Sequence, residues 1–187
     1  MYSIPSRGTV KYPVDYLAEE YLLRKFIQDS QEAGIDISEA DAGVPYRLAV
    51  NLRSQNRFAD AEAMVLKFVA DARTMMKPEN LIRLEDKTVP FLHECIGLFF
   101  ASMTQKDQGK FAAAESNMRE AIHCSVRQDG DKDPWAFDQR LRLAGWLREW
   151  GRDEDADALI AENNKLLELY DSDEEVVTDE VFKVDSK

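Results

Sequence analysis

Apolar residues recur along this chain at steps of three and four rather than two, the spacing of helices with one buried face. Leu17, Tyr21, Leu22 and Phe26 form the first run, opened by Pro13 and closed by Gly34, with Glu19, Glu20, Arg24 and Lys25 on the other side. Tyr46, Leu48, Ala49 and Leu52 follow Pro45 and stop at Asn56; Phe58, Ala61, Met64, Val65 and Phe68 make the next run. Thr88-Val89-Pro90, a cap followed by proline, opens a helix with Leu92, Ile96, Phe99, Phe100 and Met103. A polar break is expected over 104–109, longer than the corresponding breaks elsewhere. Phe111, Ala114, Met118, Ala121 and Ile122 come after it. Asp133-Pro134-Trp135 is the sharpest helix start, ahead of Leu141, Leu143, Trp146, Leu147 and Trp150. Gly151 separates that helix from a last one with Ala156, Leu159, Ile160, Leu166, Leu167 and Leu169. Residues 78–86 read as one short helical excursion. The fold class is all-α, with about seven main helices. A loose leader is expected over 1–12, a helical domain over 13–170 and an acidic, disordered tail over 171–187.

One phrase occurs three times between these helices: Asn56-Arg57-Phe58-Ala59-Asp60-Ala61-Glu62, Gly109-Lys110-Phe111-Ala112-Ala113-Ala114-Glu115 and Gly151-Arg152-Asp153-Glu154-Asp155-Ala156-Asp157. Each copy has a turn-former, a basic residue, an alanine and an acid. A repeated supersecondary unit cannot bury its apolar face alone and must stack on its copies. The units resemble tetratricopeptide repeats, which are helix–turn–helix modules. Ala61, Ala114 and Ala156 match the small residue that lets the two helices pack closely; Phe58 and Phe111 match the aromatic three positions earlier. Gly109 and Gly151, with Asn56, match the turn glycine, and Asp153 departs from the aromatic pattern. The alanines are 53 and 42 residues apart, spacings more like the long variant of kinesin light chains. The resemblance covers roughly residues 43–170. It implies an antiparallel helix-pair solenoid capped at one end by the first helix.

The resemblance also implies a concave groove lined by the first helix of each pair. Carried onto this sequence, that rule places Tyr46, Val50 and Arg53 in the groove from the first unit, Glu94 and Leu98 from the second, and Leu141, Arg142 and Arg148 from the third. Arginine forks suit carboxylates. The expected partner is therefore a protein or peptide segment with acids around an apolar centre. Chaperone-tail clamps use lysine and asparagine where this chain has Tyr46 and Val50, which argues against that ligand. Residues 173–182 of the tail themselves read as acids around an apolar centre, so fold-back into the groove is a second expectation. Trp146 and Trp150 share a helix face, either as core contacts or as an aromatic anchor for a peptide. Self-association through apolar helix faces is the alternative function.

Charge and chemistry narrow the classes further. The net charge is −12, of which the tail carries −5, and such a chain repels phosphate backbones, so no nucleic acid is expected. The longest apolar run, 96–101, is far short of a membrane span, and residues 1–12 lack the apolar core of a signal peptide. A soluble, cytoplasmic protein with both thiols free is expected. His93-x-Cys95 and His123-Cys124 supply four soft ligands, yet positions i and i+2 of a helix point about 200° apart, which disfavours a shared metal. The eight glycines form no phosphate loop, and neither histidine stands in a recognisable nucleophile setting. No cofactor, no metal and no catalytic activity are expected.

Overall fold

The computed structural model describes residues 15–34, 43–81, 89–131 and 133–180, the side chains of Leu81, Asp129 and residues 169–180 excepted. All regular structure among them is helical: α1 (Tyr16–Glu32), α2 (Gly43–Ser54), α3 (Phe58–Met75), α4 (Pro78–Leu81), α5 (Val89–Asp107), α6 (Phe111–Asp129), α7 (Pro134–Glu149) and α8 (Asp153–Glu180). Apart from the one-turn α4, each helix packs on its neighbours in the sequence, and α2 also touches α5. The expected leader and Pro13 lie outside the described residues, as does Thr88.

The three phrases build the same turn. Asn56, Gly109 and Gly151 have φ of +60°, +72° and +75°, the left-handed conformation that ends a helix. The amide of the following basic residue reaches back five residues: Arg57 N to Leu52 O, Lys110 N to Gln105 O and Arg152 N to Leu147 O, each 2.9 Å. This bond satisfies a carbonyl that the helix end would orphan. The carbonyl of the same basic residue then accepts the amide of Ala61, Ala114 or Ala156 at 3.1, 2.9 and 3.1 Å, starting the next helix. All three alanines have 0% exposed surface. Each methyl is fully enclosed where one helix lies against the helix before it.

The expected polar break over 104–109 does not occur. Helix α5 continues to Asp107, with Thr104 and Gln105 buried. The Thr104 hydroxyl donates to Phe100 O at 2.8 Å, and the Gln105 amide donates to Glu62 at 3.0 Å, so neither polar group is stranded. The second turn is thereby as short as the other two. Helix α8 also differs from expectation, running to Glu180 through most of the stretch read as a disordered tail. No glycine or proline follows Gly151, and Asp153, Glu154 and Asp155 favour its amino-terminal turn. The Asp133 start is as expected: its carboxylate accepts from Trp135 N at 3.0 Å and Ala136 N at 3.1 Å.

The largest core cluster sits among α5 to α8, where Leu98, Met118, Leu143 and Leu147 pack around Ala114 and Ala156. Trp146 is buried there; Trp150 packs against it and against Phe111. The two tryptophans are therefore core contacts. Gly97 marks the closest approach of α5 to α3, because a Cβ there would lie 2.6 Å from Val69 Cγ2. Gly97→Ala should destabilise the protein by about 1–3 kcal/mol through this overlap, despite alanine's better helix propensity. Urea unfolding of Gly97→Ala, Val69→Ala and the pair checks this: the double variant should lose less than the sum of the two single losses.

Candidate interaction surface

The helices fall into two rows by their side-chain contacts. In one, α2 meets α5 through stacked Tyr46 and Phe100, with ring centroids 5.6 Å apart, and α5 meets α7 through Phe99 and Trp135 at 5.4 Å. In the other, ion pairs join α1, α3, α6 and α8. Arg57 donates to Glu20 at 2.8 Å, Lys110 to Glu62 at 2.6 Å, and Arg152 to Glu115. The basic residue of the second and third phrases thus grips the acid of the phrase before it. Glu20 lies five residues after the Asp15 cap, as Glu62 lies five after Arg57, so α1 supplies the acid for the first rung. Gln55 and Gln108 repeat the pattern, donating to Glu20 at 2.9 Å and to Glu62 at 2.8 Å.

These carboxylates are tuned by their partners. Hydrogen bonds from Gln55, then Arg24, then Arg57, outweigh burial and hold the Glu20 carboxyl at about 2, against an ordinary 4.5. Burial pushes Glu62 and Glu115 up, but Lys110 with Gln105 and Gln108, and Arg152 with Arg119, bring each below the usual range. Glu94 behaves alike between Arg73 at 2.7 Å and Arg127 at 2.9 Å.

Three residues expected in the groove, Tyr46, Leu98 and Glu94, are inside the protein instead. Tyr46 is buried between α2 and α5, its hydroxyl donating to His93 O at 2.9 Å, and burial pushes its pKa up. Leu98 is core, since α5 turns that side toward its neighbours' apolar faces. Glu94 is likewise buried, in the ion cluster just described. Arg53 holds Asp107 through two bonds of 2.9 and 2.6 Å. Arg142 and Arg148 go separate ways: Arg142 bonds Asp138 at 3.3 Å and lies over the Phe99 ring, whereas Arg148 reaches Asp157 of α8 at 2.7 Å. Leu141, seven residues before Arg148, is exposed on that second side. Val50 is exposed.

Sequence reasoning missed Leu92, Trp135 and Arg47. Val50, Leu92 and Trp135 leave 43%, 45% and 44% of their surface open, one from each helix of the first row. Two pockets lie beside them. One of about 320 Å³ is lined by Tyr16, Arg47, Val50, Asn51 and Phe100; the other, of about 270 Å³, by Leu92, Cys95, Ile96, Ser125, Asp133 and Trp135. Trp135 was legible as an aromatic just after a helix cap, but its direction depends on how α7 meets α5.

The exposed face of α1 reverses another expectation. Leu17, Tyr21 and Leu22 are 71%, 66% and 64% exposed, and Phe26 is also open, whereas Glu20 and Leu23 are buried. Periodicity alone expects the apolar run on the packed side, but Glu20 is held inward by Gln55 and Arg57, which leaves the run on the surface.

His93 and Cys95 on α5 and Cys124 on α6 are buried, while His123 is exposed. Among the described residues no three His, Cys, Asp or Glu side chains converge as metal ligands, and no helix is long and apolar enough to cross a membrane. Comparison with protein-family models, with curated proteins and with solved structures finds no match.

The Glu20 rung has a pH signature. A folded pKa below the ordinary one contributes stability that is complete above about 4.5 and is lost as pH falls toward 2. Urea midpoints measured across that window should fall with acid in the wild type, and fall less steeply in Glu20→Gln.

Proposed function

We propose that this chain is a non-catalytic protein-interaction adaptor: a tetratricopeptide-like solenoid of helix pairs that docks a peptide or partner helix along α2, α5 and α7. The observation that carries the reading is the row of Val50, Leu92 and Trp135, one half-open apolar side chain per helix, flanked by two pockets. Apolar side chains held on rigid helices and bordered by concave space suit anchor residues of a ligand. Arg47, on α2 and bonded to Glu19 at 3.2 Å, is largely exposed, and Arg142, on α7, is about half exposed. Such pairs contribute little stability, so a ligand carboxylate can exchange for them at small cost. A segment with acids around an apolar centre fits this surface. The equal turns and the rungs between successive phrases support the solenoid reading.

A labelled peptide of residues 173–182 is a direct probe. Fluorescence anisotropy with the full chain should show saturable binding, weakened at least about tenfold by Trp135→Ala with Arg142→Glu, and weakened by salt. Binding indifferent to those substitutions would remove the groove from the model of function.

The open face of α1 favours a second reading, self-association. Seven and eleven residues past their caps, α3 has Met64 and Phe68, α6 has Asn117 and Ala121, and α8 has Leu159 and Asn163, all at least partly buried. Phe68 packs on Tyr46 of α2, and Asn117 donates to Gln105 of α5. The same positions of α1 are Leu22 and Phe26, open to solvent. If this face joins two copies, light scattering should detect a dimer that Leu22→Asp with Phe26→Asp converts to monomer. A monomer at all concentrations assigns the function to the groove alone.

A further inference from the structure

The pocket beside Trp135 has an interior unlike its rim. Leu92 and Trp135 stand at the opening, each nearly half exposed, and Ile96 adds a partly buried apolar wall. The remaining lining is polar and buried: Ser125 is 3% exposed and Asp133 9%. Among the described residues no lysine or arginine lines this space of about 270 Å³, and none pairs with the Asp133 carboxylate. The two amides that Asp133 caps offset part of its charge. A carboxylate this buried, bordering an otherwise apolar opening, still favours a cation beside it.

We propose that this pocket binds a small apolar amine, its ammonium held by Asp133 and Ser125 and its hydrocarbon part set against Leu92, Ile96 and Trp135.

Both polar groups are set to accept. Asp133 Oδ1 takes the Trp135 amide at 3.0 Å and Oδ2 the Ala136 amide at 3.1 Å, which leaves each oxygen a further lone pair. Ser125 gives its one hydroxyl proton to Gln139 Oε1 at 3.3 Å, so the Ser125 oxygen is left as an acceptor. Gln139 is fully buried and holds that hydroxyl in place. An ammonium brings three donors and no acceptor, the complement of these two groups. Its third donor goes to solvent or to Gln128, which lines the pocket and is exposed. A ligand carboxylate brings only acceptors and meets the Asp133 charge.

The apolar walls and the pocket's size select a small aryl- or alkylamine. An indole is also the side chain that best tolerates a neighbouring cation. Charge at longer range acts in the same direction, because a chain of net charge −12 draws cations toward it. This ligand is distinct from the peptide proposed for the groove. The peptide places its acids near Arg142, whereas the amine needs neither Arg142 nor Val50.

Three probes of similar shape test the site by nuclear magnetic resonance on the isotope-labelled full chain: phenethylamine, phenethyl alcohol and hydrocinnamate. The Trp135 indole resonance, assigned by its loss in Trp135→Phe, should shift saturably with the amine. Phenethylamine should bind at least about tenfold more tightly than hydrocinnamate, with the alcohol between them. Asp133→Asn keeps a good helix cap and removes the charge, so it should weaken the amine at least about fivefold and leave the alcohol unchanged. Ser125→Ala should weaken the amine about threefold. Arg142→Glu removes the base that the peptide uses and should leave amine binding equal or tighter, which separates failure of one ligand from failure of the other. Circular dichroism checks that each variant is helical; where Asp133→Asn is not, the ranking of the three probes on the wild type decides. The proposal is overturned by no saturable shift with the amine, by equal affinity for the three probes, by an unchanged amine preference in a folded Asp133→Asn, or by loss of amine binding in Arg142→Glu.

Discussion

Everything in this protein rests on one contact made three times, an alanine with no exposed surface at the start of the second helix of a pair. Ala61, Ala114 and Ala156 occupy it, four residues after a basic residue and five after a left-handed turn. The left-handed residue reverses the chain in three positions, and a bond across the turn satisfies the last carbonyls of the helix before it. The methyl then allows the helices to approach closely. A larger side chain would force them apart and open the core built around Leu98, Met118, Leu143 and Leu147.

Charge ties the pairs to one another. A chain this acidic carries a repulsive burden, and the body distributes it by placing the acids of the first two phrases under the base of the phrase that follows. Partly buried, multiply bonded carboxylates such as Glu20 and Glu62 are held more firmly than exposed pairs, and their loss would leave uncompensated groups near the core. Arg53, Arg57, Arg73 and Arg152 are engaged with carboxylates of other helices, whereas Arg47 and Arg142, on the first row, hold longer pairs of 3.2 and 3.3 Å.

Local features were legible in the sequence, whereas orientation was not. The alanine phrases, the turn glycines, the Asp133 cap and the spacing of most helices follow from periodicity and turn chemistry, which act over a few residues. The fate of Thr104 and Gln105 was hidden because Glu62 and Asn117, twelve or more residues away, satisfy Gln105 and let the helix continue. The packed side of α1 was hidden for the same reason: a glutamate is buried only because Gln55 and Arg57 come to it from the next pair. Tyr46, Glu94 and Leu98 fall in a groove only by the family pattern, and a small rotation of α2 or α5 suffices to turn such positions inward.

The outward surface depends on the second unit holding the geometry of the first. The most direct measurement of that equivalence is a phrase exchange, replacing residues 109–115 by the sequence of residues 56–62 and following unfolding in urea. Because the two turns share backbone geometry, buried alanine and ionic rung, the chimera should unfold in one cooperative transition within about 1 kcal/mol of the parent. A loss greater than about 3 kcal/mol, or a broadened transition, would contradict the account, because it would mean that the turns are alike in letters and not in the packing they impose.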